Sequence, residues 1–133
     1  MKKLIGFVFI GLCLVMGYLF FFQGEETVEI PLTSVEVEKR VINIGNNPMN
    51  QPSFAYFNLL NTGSNELVIK DITSDCHCTA ITSTINKASP GESLLIKAEY
   101  DNNSTGFFNQ AITVHLNTLS SPELLIIRGR IIE

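Results

Sequence analysis

The stretch Leu94-Leu95-Ile96-Lys97-Ala98-Glu99-Tyr100 decides the fold. Successive side chains of a strand point to opposite faces, so Leu94, Ile96, Ala98 and Tyr100 share one face and Leu95, Lys97 and Glu99 the other. Pro90-Gly91 marks a turn before this strand, and residues 101–106 are polar and turn-rich after it. Downstream, Phe108, Ile112, Val114 and Leu116 alternate with Asn109, Thr113, His115 and Asn117. Ser120-Ser121-Pro122 turns the chain into a last strand over 123–132, with Leu125 and Ile127 on one face and Arg128 and Arg130 on the other. Upstream, residues 76–85 are rich in Thr and Ile and hence β-prone. Residues 67–73 form another run, and 53–61 an apolar, aromatic one closed by Asn61-Thr62-Gly63-Ser64. The first piece, Val35 and Val37 and then Val41-Ile42-Asn43-Ile44, ends at Gly45, and Asn46-Asn47-Pro48 reads as a loop.

These pieces amount to about seven strands in roughly 100 residues, with no helical pattern among them. Alternation suits sheets with one face buried and one wet. The economical architecture is all-β, an immunoglobulin-like antiparallel β-sandwich over residues 35–133. The chain has no Trp, and residues 35–133 hold no widely spaced cysteine pair. That excludes an antibody-style core of Trp against an inter-sheet disulfide and leaves the core to Phe, Ile, Leu and Val.

The N-terminal end is of another kind. Residues 4–22 carry no charge and are interrupted only by Gly6, Gly11 and Gly17. As a helix they would span roughly 28 Å, close to the thickness of a bilayer core. Lys2 and Lys3 precede them and Glu25 and Glu26 follow, so residues 1–22 read as a signal anchor or signal peptide that leaves the rest outside the inner membrane. A cleavage site wants two small residues one apart, and the YLFFFQG of residues 18–24 offers none. Cys13 raises a lipoprotein reading, but Leu12 stands where a small residue is needed. An anchored periplasmic domain is the main expectation, with cleavage or lipidation as alternatives, and every option exports the domain. Residues 23–34, with Pro31, read as a charged linker. The net charge of −4 becomes −6 without Lys2 and Lys3. An acidic domain argues against a nucleic-acid partner, which would want a basic surface.

At these residues the chain resembles the domain-of-unknown-function 1573 family, exported immunoglobulin-like domains common in Bacteroidetes. Ile44-Gly45 resembles the end of the family's opening strand, and Phe57 with Asn61-Thr62-Gly63 its aromatic strand and turn. Leu67-Val68-Ile69 leads to Ser74-Asp75-Cys76-His77-Cys78-Thr79, similar to its Cys-Gly-Cys-Thr hallmark. Pro90-Gly91, Tyr100-Asp101, Gly106, Phe108, Ile112, Val114, Asn117, Leu125, Ile127 and Gly129 continue the ordered match. The resemblance implies a sandwich of the kind also found in motile-sperm and chaperone-like domains, and implies no activity. His77 departs from the family's usual Gly.

Cys76-His77-Cys78 is the one chemical motif, and three readings of it stand open. The cysteines pack as small, soft residues in a sheet edge or core, with His77 in solvent. Or they form a disulfide, which an oxidising compartment favours. Residues two apart in a flat strand sit about 6.6 Å apart, too far for a disulfide, so closure needs a tight turn and yields a bond that is easily reduced. Or Cys76 and Cys78 bind Cu or Zn, with His115 a third ligand only if the fold brings it close; this matches no established zinc spacing. A catalytic thiol is a weaker variant: there is no helix N-terminus to lower the thiol pKa, and Asp75 raises it.

Other features read more plainly. Arg128 and Arg130 lie on a solvated strand face that could take a ligand carboxylate. Phe107-Phe108 packs at least one ring inward, with an exposed Phe107 as an alternative binding anchor. Two overlapping sequons over 102–105 are simply a turn, and Asp71 and Asp75 fit turn chemistry. No catalytic residues and no cofactor are expected. The sequence points to a non-enzymatic cell-envelope protein whose sandwich binds an unidentified envelope protein, sandwich edges being natural docking sites. A thiol-redox or metal-handling role for Cys76, His77, Cys78 and Thr79 is the rival.

Overall fold

The structure, a computed structural model, describes residues 11–18, 29–76 and 79–133. Residues 11–18 are helical, and among the described residues no helix is long and apolar enough to cross a membrane. The rest of the expected anchor, and His77 and Cys78, lie outside the described residues. The remainder is all-β, two sheets packed face to face. One has strand order β1-β3-β7-β5, formed by β1 (Val35–Val37), β3 (Ser53–Asn61), β7 (Ser93–Tyr100) and β5 (Thr79–Ser83). The other runs β2-β9-β8-β4-β6, from β2 (Val41–Pro48), β9 (Glu123–Ile132), β8 (Gly106–Leu116), β4 (Leu67–Ser74) and β6 (Lys87–Ala88).

The period of two buries one face of each sheet. Leu94, Ile96 and Ala98 of β7 are fully buried, and β3 sends Ala55, Phe57 and Leu59 to the same side. Phe108, Ile112, Val114 and Leu116 of β8, with Leu125, Ile127 and Ile131 of β9, meet them from the opposite sheet. Tyr100 and Phe108 close one end of this core as stacked rings, 3.8 Å between centroids. Interlocked side chains at crystal-like density make such a core intolerant of a lost ring.

Three expectations about the strands are corrected. The strands among the described residues number nine rather than about seven. The first expected strand is two, because the chain crosses between sheets over 38–40, and two-residue β6 is added. The sandwich is not wholly antiparallel: β2 runs parallel to β9, Val41 beside Ile126 and Pro48 beside Ile132. And Asn46-Asn47-Pro48 is no loop. It continues β2 past a register shift between Asn43 and Asn46, where Gly45 holds φ at +70°. The left-handed conformation there is cheap only for glycine.

Buried asparagines hold the crossings together. Asn61 is fully buried and uses its whole amide. Its Oδ1 accepts from Thr33 Oγ1 (2.9 Å) and Gly63 N (3.1 Å), and its Nδ2 donates to Asn65 O (2.8 Å) and Ala88 O (2.9 Å). Asn117, expected on the polar face, is also fully buried. It accepts from Val68 N (2.7 Å) and donates to Pro31 O (2.8 Å) and Glu66 O (2.7 Å). These bonds fix the end of the stretch read as linker, and Thr33 forms a parallel bridge with Thr118. Asn102 is buried in the 101–105 loop and donates to Pro48 O and Ser53 Oγ, so one of the two sequon asparagines is structural.

Candidate functional site

The cysteine motif follows β4. Asp75 N still donates to Ala111 O (3.2 Å), and then the chain leaves the sheet. Cys76 O accepts from Thr79 N (3.3 Å) and from Ser74 Oγ (2.9 Å). Cys76 is disulfide-bonded, and Cys13 is free. A sulfur in a disulfide is no thiolate, so metal binding at Cys76 would first need reduction. Thr79 opens β5 with its Oγ1 buried and, among the described residues, unpartnered.

His115 is not brought to Cys76. It faces Asp71 in the β4–β8 ladder, while Ser74 faces Ile112. Three rungs of β8 separate those positions, about 10 Å of strand, and Cys76 lies beyond Ser74. Among the described residues no group of three or more His, Cys, Asp or Glu side chains is placed to hold a metal ion. Asp71 Oδ1 accepts from Ile72 N (2.9 Å) at the irregularity between Ile69 and Asp71, which is local backbone chemistry.

Two surfaces remain that could receive a partner. The first is the outer face of β2, β9 and β8. The register sets Arg128 between Asn43 and Asn109, and Arg130 between Asn46 and Phe107. These six side chains share one shallow hollow. Phe107 is 83% exposed, and the Arg130 guanidinium lies 4.9 Å from its ring centroid. Alternation alone leaves the arginines and the ring on separate strands; the pairing of β8 with β9 joins them, and that of β2 with β9 adds Asn43 and Asn46.

The second is the set of sheet edges. Three are blunted in ways that discourage pairing: β1 has three residues, β6 has two, and β2 is bent at Gly45. β5 is different. It pairs with β7 in unbroken register, Thr79 opposite Tyr100 through Ser83 opposite Ile96, and is the edge of its sheet. Elsewhere on the outer face of this sheet Leu95 of β7 and, beyond it, Phe54 and Tyr56 of β3 are exposed, with Lys97 Nζ 4.2 Å from the Phe54 ring centroid.

One buried charge is structural. Glu123, 3% exposed, bonds Arg40 across the crossover, and Arg40 O accepts from Ile126 N (2.7 Å). Burial opposes ionisation of Glu123, but hydrogen bonds from Arg40 and Ser120 and the charge of Arg40 outweigh it and hold the carboxyl below its ordinary value. No local pattern in the sequence signalled this pair, whose members are 83 residues apart.

The sequence profile described as "Protein of unknown function (DUF1573)" matches residues 35–131. No curated protein matches the chain. A crystal structure of a protein of unknown function from Porphyromonas gingivalis W83 is similar over 81% of this chain and 51% of its own, at 12% identity and a TM-score of 0.67. The chain thus spans about half the length of that protein. The ASH/PapD-like domain 7 of human CEP192 is similar over 83% of this chain and 93% of its own, at 14% identity and a TM-score of 0.62. The Vibrio cholerae VesB protease is similar over 74% of this chain and 32% of its own, at 14% identity and a TM-score of 0.59. At such identities these likenesses concern the fold alone.

Proposed function

We propose, from the premise that the chain belongs to the DUF1573 family of proteins of unknown function, that it is a non-enzymatic cell-envelope protein whose sandwich binds other proteins. Residues 4–22 tether it in the inner membrane and the sandwich sits in the periplasm, with Lys2 and Lys3 on the cytoplasmic side. A partner adds an extended segment to the edge of β5. The observation that carries this is the contrast among the edges: β5 alone of the four is both regular and longer than three residues. An incoming strand there finds backbone donors and acceptors along Thr79–Ser83. The test is selection of displayed peptides against the full chain in mild detergent. Selected peptides should lose binding to a variant carrying Ala80→Lys and Thr82→Glu. These charges stand opposite Glu99 and Lys97, so they guard the edge while leaving the sheet stable. No enriched peptide, together with turnover of a substrate by the protein, would overturn the reading.

A second reading has one observation in its favour: Cys76 is disulfide-bonded. In this reading Cys76 and Cys78 exchange electrons with a partner thiol, or bind Cu or Zn once reduced. Thiol titration before and after mild reductant, with elemental analysis of the reduced protein, separates it from the first. Two titratable thiols released at mild potential, or a stoichiometric metal, support it; an unreducible bond and no metal remove it.

A further inference from the structure

We infer that the outer face of β2, β9 and β8 is a binding site for an extended acidic peptide segment with carboxylates at alternate positions. The inference rests on the reading that the domain binds protein, and adds a second surface and the chemistry of what it takes. Two rungs build the site: Asn43, Arg128 and Asn109 in one, Asn46, Arg130 and Phe107 in the next. Arg128 and Arg130 are both exposed. Among the described residues neither forms an ion pair, although the domain is acidic overall. Among the described residues no acidic side chain lines the hollow; Glu133 lines the neighbouring one together with Arg130, and no ion pair forms between the two. Two like charges on alternate residues of one strand repel each other, and among the described residues no ion pair offsets them. An anion would relieve that repulsion.

The spacing selects the anion. Alternate residues of β9 lie about 6.7 Å apart, and the side chains of an extended peptide repeat at the same distance on one face. A peptide running along β9 thus sets one carboxylate on each guanidinium. The flanking asparagine amides offer hydrogen bonds to its backbone, and the exposed Phe107 ring covers an apolar side chain. A membrane surface fits less well. Lipid recognition takes clusters of about 4–8 basic residues, and this face carries two on an acidic domain.

The test titrates the full chain in mild detergent with a blocked hexapeptide alternating glutamate and valine, its glutamine counterpart, and anionic lipid vesicles. The glutamate peptide should bind and the glutamine peptide should not. Arg128→Gln and Arg130→Gln should each weaken binding about fivefold, the size of one exposed ion pair, and raised salt should weaken it further. Lys70→Gln, an exposed cation on another strand, should leave it unchanged. Phe107→Ser should weaken binding without touching a charge. Equal binding by the doubly substituted protein, equal binding of the glutamine peptide, or binding of vesicles but not peptide would overturn the inference. If the glutamate peptide fails while peptides selected at β5 still bind, this inference falls alone; if both fail, the protein-binding reading falls with it.

Discussion

Asn61→Ala removes the amide that ties both sheets to the chain's entrance. Four partners lose it: the Thr33 hydroxyl, the Gly63 N–H, and the carbonyls of Asn65 and Ala88. A net hydrogen bond contributes about 1 kcal/mol, and an orphaned buried group costs more. Thr33 and Ala88 are buried and keep the full penalty, whereas Gly63 and Asn65 are half-buried and recover part of theirs from water. The loss works out at about 3–4 kcal/mol, a large share of the roughly 5–15 kcal/mol that holds a domain folded. For about 100 residues that lowers the melting temperature by about 12–30 °C. Asn58→Ala on the same strand is the control. Among the described residues its amide reaches only Glu38, at 3.4 Å and exposed, so its loss should cost under about 0.5 kcal/mol. Urea denaturation followed by circular dichroism reads both. A cost below about 1 kcal/mol at Asn61, or equal costs at the two positions, would refute the reasoning.

Other outcomes follow from the same contacts. Arg40→Ala strips the buried Glu123 carboxylate of its cation and should cost about 1.5–3 kcal/mol at pH 7. The folded-state pKa of Glu123 is depressed, so its contribution is present above the unfolded value near 4.5 and is lost as pH falls through the folded one. The gap between wild type and Arg40→Ala should therefore close in denaturation curves taken at successively lower pH below 4.5, and a gap constant with pH would contradict it. Gly129→Ala places a Cβ 2.8 Å from Ile44 Cγ1, 2.9 Å from Gly45 O and 3.1 Å from Phe108 Cε1. The backbone oxygen cannot step aside cheaply, so destabilisation of about 1–3 kcal/mol is expected by the same assay.

Much of the sandwich was legible because alternation is a local property. Ser53–Asn61 emerged with its expected bounds, and the strand around Ile96 gained only Ser93. The parallel union of β2 and β9 was not legible. Nothing within Val41–Pro48 says which strand will lie beside it, and the register shift at Gly45 breaks the period that would have marked Asn46-Asn47-Pro48 as strand. Asn117 fell on the polar side of its strand's alternation. It is buried because β8 ends there and Pro31, Glu66 and Val68 need its amide. The candidate sites divide in the same way. Residue spacing left Cys76 open between packing, a disulfide and a metal site, and the structure has Cys76 disulfide-bonded. Spacing could not say that His115 lies rungs away, nor that Arg128, Arg130 and Phe107 share one hollow with asparagines from β2.

Hydrogen exchange on the full chain, with and without a peptide selected for binding, tests the central claim most directly. Strand addition at the sheet edge should slow exchange of backbone amides in Thr79–Ser83 and leave Val35–Val37 and Lys87–Ala88 unchanged. Protection that bypasses Thr79–Ser83 while the peptide is bound would contradict docking at this edge.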